Sequence, residues 1–200
     1  MQPLFAQNPL NLGVLVASFL IWRVMEVSVD IRTFKRLRAG AKLQDKGSHV
    51  VLLCLIVFGF LLGMLLAWKV GAFAITSAPD IFFWLGIVLM YVGIALRLYA
   101  IKVLGRFFTT SVAIAPEQTV VEAGPYRLIR HPSYTGILIT LLGLGLSLTN
   151  NWLSLLVIME CALIGFSYRM RVEEQVLQEH LGQRYQEYMQ RTKRLVPFVF

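Results

Sequence analysis

Apolar residues gather in five runs along the chain, each bounded by polar or charged stretches. The first three cover residues 10–29, 50–70 and 81–104, and the last two cover 134–148 and 152–168. Roughly 20 apolar residues in a helix cross the hydrocarbon core of a bilayer, and the first three runs meet that length. The last two are shorter and are separated only by Thr149, Asn150 and Asn151. So short a polar link predicts a tight helical hairpin, its arms accommodated by local bilayer thinning or by burial against protein. Beyond residue 168 the pattern changes. Val172, Val176, Leu177, Leu181, Tyr185 and Tyr188 recur at helical spacing with charges between them. This predicts an amphipathic helix over 172–191, interrupted at Gly182 and ended by Pro197. Together these elements predict an all-α fold, a polytopic membrane bundle of about five transmembrane helices.

Composition agrees: 57% of the 200 residues are hydrophobic and 15% charged, with a mean hydropathy of +0.67. A net charge of +8 would fit a nucleic-acid binder if the basic residues formed one stripe. They fall instead in the gaps between apolar runs. Residues 30–48 hold Arg32, Lys35, Arg36, Arg38, Lys42 and Lys46. Residues 105–132 hold Arg106, Arg127 and Arg130, and the tail adds Arg169, Arg171, Arg184, Arg191, Lys193 and Arg194. The opposite ends hold almost no positive charge, Lys69 being the nearest. The positive-inside rule then predicts an N-terminus outside and a cytoplasmic central loop and tail, as an odd number of spans requires. Residues 1–8 carry no Lys or Arg, so the first run is expected to be a retained helix rather than a cleaved signal. Cys54 and Cys161 lie inside apolar runs and read as buried thiols.

Two polar clusters could carry chemistry. Gly124, Pro125, Tyr126, Arg127, Arg130, His131, Pro132 and Tyr134 crowd into the segment just before the fourth run. Gly124-Pro125 reads as a turn, and Pro132 predicts a helix beginning at or after itself, whose first N–H groups could face an anion. The same residues also suit a plain anchor at the headgroups. The second cluster, Arg169 to Glu174, puts Arg169 and Glu173 on one helix face, where a solvated salt bridge is the simplest reading. Within the spans, Arg23, Glu26 and Glu160 are expected to face the bundle interior or a cavity, because a charge at the bilayer centre costs about 3 kcal/mol or more. Glu160 is expected either to be protonated or to pair with Arg97. Gly59 and Gly63 form a GxxxG that predicts close helix packing. No GxGxxG follows a strand, and His49, His131 and His180 lack metal-ligand spacing. No metal site and no nucleic-acid partner are therefore expected.

The stretch from Thr119 through Gly124-Pro125-Tyr126 to Arg130-His131-Pro132-Ser133-Tyr134-Thr135-Gly136 resembles the central motif of the isoprenylcysteine carboxyl methyltransferase family. The tail, Arg169…Glu173-Glu174…Leu181-Gly182-Gln183-Arg184-Tyr185…Tyr188…Pro197, resembles the same family's C-terminal motif. The resemblance covers roughly 104–197, and the hairpin separates the two motifs as the family requires. It implies residues 1–104 as three helices shaping an acceptor site, and 105–200 as the methyltransferase core. It also implies S-adenosylmethionine held in a cytoplasmic pocket between the central loop and the C-terminal helix. By position, Gln118, Thr119, Val120, Val121, Tyr126, His131, Pro132, Ser133, Tyr134 and Glu173 would bind that cofactor. Arg169 would hold the methyl acceptor. Gln118 stands where the family often has His, and it can still form a hydrogen bond.

The implied partner is a lipophilic acceptor entering from the bilayer, among membrane lipids. A carboxylate acceptor, with an ordinary pKa of about 4, is already ionised at neutral pH, so its methylation needs no general base. A guanidinium such as Arg169 suits the task of holding it. A lipid amine acceptor would need a proton acceptor, for which only His131 and the glutamates stand near. Two readings remain beside these: a non-catalytic membrane scaffold or transporter, and a nicotinamide-dependent reductase relative.

Overall fold

The computed structural model describes residues 8–38, 42–115 and 117–197. The basic side chains of Lys35, Arg36, Arg38 and Lys42, and residues 1–7, lie outside what is described. Among the described residues six α-helices follow in order: α1 (Pro9–Arg38), α2 (Ser48–Lys69), α3 (Pro79–Leu104), α4 (Pro132–Thr149), α5 (Trp152–Leu181) and α6 (Gln183–Arg191). The first five are long and apolar enough to cross a membrane, as the runs predicted. Large apolar side chains face outward on them, with Trp68 74% and Ile81 66% exposed, a surface suited to lipid rather than water. The chain is an integral, multi-pass membrane protein.

The predicted hairpin forms because its three polar residues satisfy the backbone that the turn exposes. Asn150 adopts φ +47°. Asn151 caps α5 by accepting a hydrogen bond from the Ser154 N–H at 3.1 Å, and its amide donates to the Val70 carbonyl at 2.9 Å. The Asn150 amide donates to the Ile75 carbonyl, tying the turn to the α2–α3 connection. At its other end α5 runs unbroken for 30 residues, so the amphipathic tail is its direct continuation. Gly182, at φ +59°, does separate it from α6, as predicted.

Two glycine seams set the helix packing. Gly59 and Gly63 of α2 press on α5, where an added Cβ would meet Cys161 Cβ at 2.8 Å and Ile158 Cγ1 at 2.9 Å. Gly86 and Gly93 of α3 face Gly143 and Gly136 of α4. A Cβ at Gly93 would come within 2.5 Å of the Gly136 carbonyl oxygen. The Ser147 hydroxyl donates to the Phe83 carbonyl at 3.0 Å across the same seam. Small residues bring the backbones close, and dispersion accumulates where lipid supplies no hydrophobic drive between helices. A short antiparallel pairing joins β1 (Lys42–Leu43) to β2 (Ala113–Ile114), fastening the α1–α2 loop to the connection after α3.

The charged residues within spans sort differently from expectation. Glu26 pairs with Arg97 at 2.6 Å, whereas Glu160 is exposed on the outer face of α5. Glu160 therefore is not the partner of Arg97 and does not face the interior.

The α3–α4 seam should be intolerant of bulk. Gly93→Leu is expected to destabilise the protein by about 1–3 kcal/mol through overpacking, whereas Gly71→Ala, where a Cβ meets nothing within 4 Å, is expected to be neutral. Thermal unfolding of the two variants in one detergent distinguishes them.

Candidate functional site

Two cavities meet at one wall of side chains. A cleft of mixed polar and apolar lining lies between the central loop and the end of α5, and a larger apolar cavity of about 920 Å³ lies among α1, α2 and the inner faces of α4 and α5. Phe108, Thr109 and Tyr134 line both. The cleft is walled by Gln118, Thr119, Val120, Val121, Tyr126, His131, Ser133, Tyr134 and Glu173. Pro132, the first residue of α4, is buried beside them without lining the cleft. Arg169 lines the apolar cavity instead.

The local backbone explains the grouping. Gly124, at φ +54°, starts a single 3-10 turn over Gly124–Arg127 that turns Tyr126 inward. Pro132 begins α4 at its first turn, where its missing N–H costs nothing. The His131 and Tyr134 rings then stack, 5.3 Å apart and 10° from parallel. Gln118 accepts a hydrogen bond from the Ala115 N–H at 2.9 Å, shaping the bend at the cleft edge. Burial first, then the Glu173 charge, pushes the Tyr126 and Tyr185 hydroxyls above their ordinary range, which keeps both neutral.

Arg169 and Glu173 do not form the solvated pair that their spacing allowed. The Tyr134 hydroxyl stands between them, donating to Glu173 Oε2 at 2.6 Å and accepting from Arg169 Nε at 3.0 Å. Arg169 is 2% exposed. Its Nη1 donates to Asp45 Oδ1 at 3.0 Å and to Ser48 Oγ at 3.3 Å, and its Nη2 donates to the Thr110 carbonyl. Burial works to raise the Asp45 pKa. The His49 and Val112 N–H donors, the Arg169 charge and the Ser48 hydroxyl outweigh it and hold the carboxyl below its ordinary value.

Three features of the site escaped the sequence reading. Glu174, 3% exposed, accepts from Arg130 Nε at 2.9 Å and from Arg194 Nη2 at 2.7 Å, and lies 3.2 Å from His131 Nε2. The tail after α6 runs back along the central loop, with Arg130 N–H donating to the Lys193 carbonyl at 2.7 Å and His131 N–H to the Arg194 carbonyl at 3.0 Å. The Glu26–Arg97 pair borders the apolar cavity. Of these, only Glu174 carried a local signal, as the neighbour of Glu173 in an acidic pair.

Comparison with known proteins bears on the same region. Residues 84–179 match the isoprenylcysteine carboxyl methyltransferase family, so the match begins inside α3 rather than at residue 104. A probable protein-S-isoprenylcysteine O-methyltransferase of Oryza sativa subsp. indica is 34% identical over 118 residues, covering 58% of this chain and 61% of the relative. Protein-S-isoprenylcysteine O-methyltransferase B of Arabidopsis thaliana is 36% identical over 116 residues, covering 57% and 58%. The chain thus spans about three-fifths of the length of these curated relatives. The uncharacterized protein YpbQ of Bacillus subtilis is 21% identical over 84% of this chain and 96% of its own. A solved eukaryotic intramembrane Ras methyltransferase, isoprenylcysteine carboxyl methyltransferase, shares the fold with a TM-score of 0.60 at 24% identity, covering 73% of this chain and 52% of that one.

The depressed Asp45 carboxyl fixes the sign of a pH effect. Its stabilising contribution is complete above its unfolded pKa, near 3.8, and is lost as pH falls through the lower folded value. Asp45→Asn is therefore expected to melt below wild type at neutral pH, with the gap closing in acid. A series of melting curves over that range checks it.

Proposed function

We propose that the chain, whose residues 84–179 match the isoprenylcysteine carboxyl methyltransferase family, methylates the carboxylate of a lipophilic, isoprenylcysteine-like acceptor with S-adenosylmethionine as donor. The observation that carries this reading is the meeting, at Phe108, Thr109 and Tyr134, of an apolar cavity and a cleft of mixed lining that includes Gln118, Thr119, His131 and Glu173. A water-soluble donor and a membrane-borne acceptor need two compartments with one shared wall.

The cleft suits the donor by its chemistry. The Glu173 carboxylate, 29% exposed, stands beside the Tyr134 hydroxyl and offers the negative charge that a sulfonium ligand needs. Val112, Ile114, Val176 and Leu177 pack together and give an apolar strip for a purine face. Gln118, Thr119, Val120 and Val121 would follow its edge, with Tyr126, His131, Ser133 and Tyr134 closing the inner side and Pro132 setting the loop's geometry. When bound, S-adenosylmethionine supplies a methyl whose bond to sulfur breaks, its electron pair staying on sulfur, as a carboxylate oxygen forms the new bond to carbon.

The chain's own residues then have three tasks. They hold the carboxylate in line, exclude water, and leave the acceptor without a proton to remove. Arg169 places positive charge on the acceptor side of the shared wall and fixes the Tyr134 hydroxyl. The apolar cavity, lined by residues of α1 and α2 such as Leu15, Phe19, Leu52 and Phe60, would receive the lipid chain from the bilayer. The basic segments flanking the cleft support a cytoplasmic face for it, with the N-terminus on the opposite side.

Purified protein in nanodiscs is expected to transfer labelled methyl from S-adenosylmethionine to an isoprenyl thioether carboxylate. No transfer to that acceptor, together with no saturable donor binding, refutes the proposal. Glu173→Ala should weaken donor binding about tenfold or more, the loss of roughly 1.4 kcal/mol. Arg169→Ala should chiefly lower turnover of the acceptor. Calorimetric donor binding and steady-state kinetics separate the two effects.

A further inference from the structure

Arg169, the guanidinium on the acceptor side, has its nitrogens committed: Nε to Tyr134, Nη1 to Asp45 and Ser48, Nη2 to the Thr110 carbonyl. A second guanidinium borders the same cavity and is not so committed. Arg97 of α3 is 4% exposed. Its Nη1 donates to Ser133 Oγ at 2.8 Å and its Nη2 to Glu26 Oε2 at 2.6 Å. Its Nε is buried with no hydrogen-bond partner among the described residues. A buried donor left unpaired costs about 1–3 kcal/mol, and charged donors tend to the upper end. Native structures rarely keep such a group without a reason.

Resting on the methyltransferase reading above, we propose that Arg97 is the residue that grips the acceptor carboxylate, through its vacant Nε–H, and that Glu26 tempers that grip. The position fits. Arg97 lines the apolar cavity, while Ser133, to which it donates, lines the donor cleft. A carboxylate held there lies at the shared wall with its lipid chain toward α1 and α2. The Phe108 ring lies over the guanidinium, 5.8 Å from centroid to Cζ, and lines both cavities.

Glu26 explains how a strong cation can hold a group whose charge disappears on reaction. A bare guanidinium would stabilise the ionised carboxylate more than the transition state, in which that charge is partly neutralised, and would slow the transfer. The Glu26 carboxylate at 2.6 Å already offsets part of the Arg97 charge, and the Trp22 indole N–H, donating to Glu26 Oε1 at 3.2 Å, keeps it in place. Arg97 therefore recognises the carboxylate without trapping it. Arg169 acts through Tyr134 as a positioning residue.

The test compares binding of an isoprenyl thioether carboxylate with that of its methyl ester, in the full chain in nanodiscs, using each as a competitor. Wild type should prefer the carboxylate about tenfold, equivalent to about 1.4 kcal/mol. Arg97→Gln should abolish the preference and leave donor affinity within about twofold of wild type, and Arg97→Lys should restore part of it. Glu26→Gln should tighten carboxylate binding several-fold and lower kcat together. A merely structural ion pair would give none of these shifts. Full preference retained in Arg97→Gln, or carboxylate binding unchanged or weakened in Glu26→Gln, overturns the assignment. If Arg97→Gln does not fold, Glu26→Gln decides alone. Failure of wild type to methylate the carboxylate would instead sink the proposed function.

Discussion

The Arg169 guanidinium holds five parts of the chain in register. It belongs to α5, meets Tyr134 of α4, Asp45 of the α1–α2 loop and Ser48 at the start of α2, and donates to the Thr110 carbonyl in the connection after α3. A cation this deeply buried persists only where hydrogen-bonding partners converge on it from all sides. The demand for those partners fixes where each segment must lie. The position of the Tyr134 ring follows from it, and with that ring the boundary between the two cavities.

The helices themselves obey a different constraint. Lipid offers no hydrophobic gain for helix association, so close approach has to come from absent side chains. The Gly86–Gly143 and Gly93–Gly136 contacts draw α3 and α4 together, and Gly59 and Gly63 do the same for α2 on α5. The two pairs leave α1 more loosely attached along the apolar cavity, where Trp22 and Glu26 meet α3 mainly through Arg97. Close-packed seams on one side and a sparsely attached helix on the other would suit the proposed entry of a bulky chain sideways.

Much of this was legible in the sequence because it is local. Apolar run length gave the spans, Pro132 the start of α4, Gly182 the break before α6, and the Asn150-Asn151 pair the hairpin. The cleft residues from Gln118 to Tyr134, and Glu173, came from the resemblance to the family's two motifs, which are short enough in sequence to be recognised without the fold. What stayed hidden depends on partners distant in the chain. The Arg97–Glu26 pair joins residues 71 apart, and no periodicity announces which interior acid meets which base. Glu160 illustrates the same gap from the other direction: its place mid-span argued for the interior, yet its helix phase turns it outward on α5.

The return of residues 193–194 along the central loop carries a consequence for biogenesis. The N–H groups of Arg130 and His131 find their acceptors in Lys193 and Arg194, and Glu174 is clasped between Arg130 and Arg194. A nascent chain leaves the ribosome from its N-terminal side, so the loop is made well before the strand that braces it. All five helices can be threaded into the bilayer while the cleft is still unformed. The site becomes competent late, as the folded bundle receives its closing segment from the aqueous side.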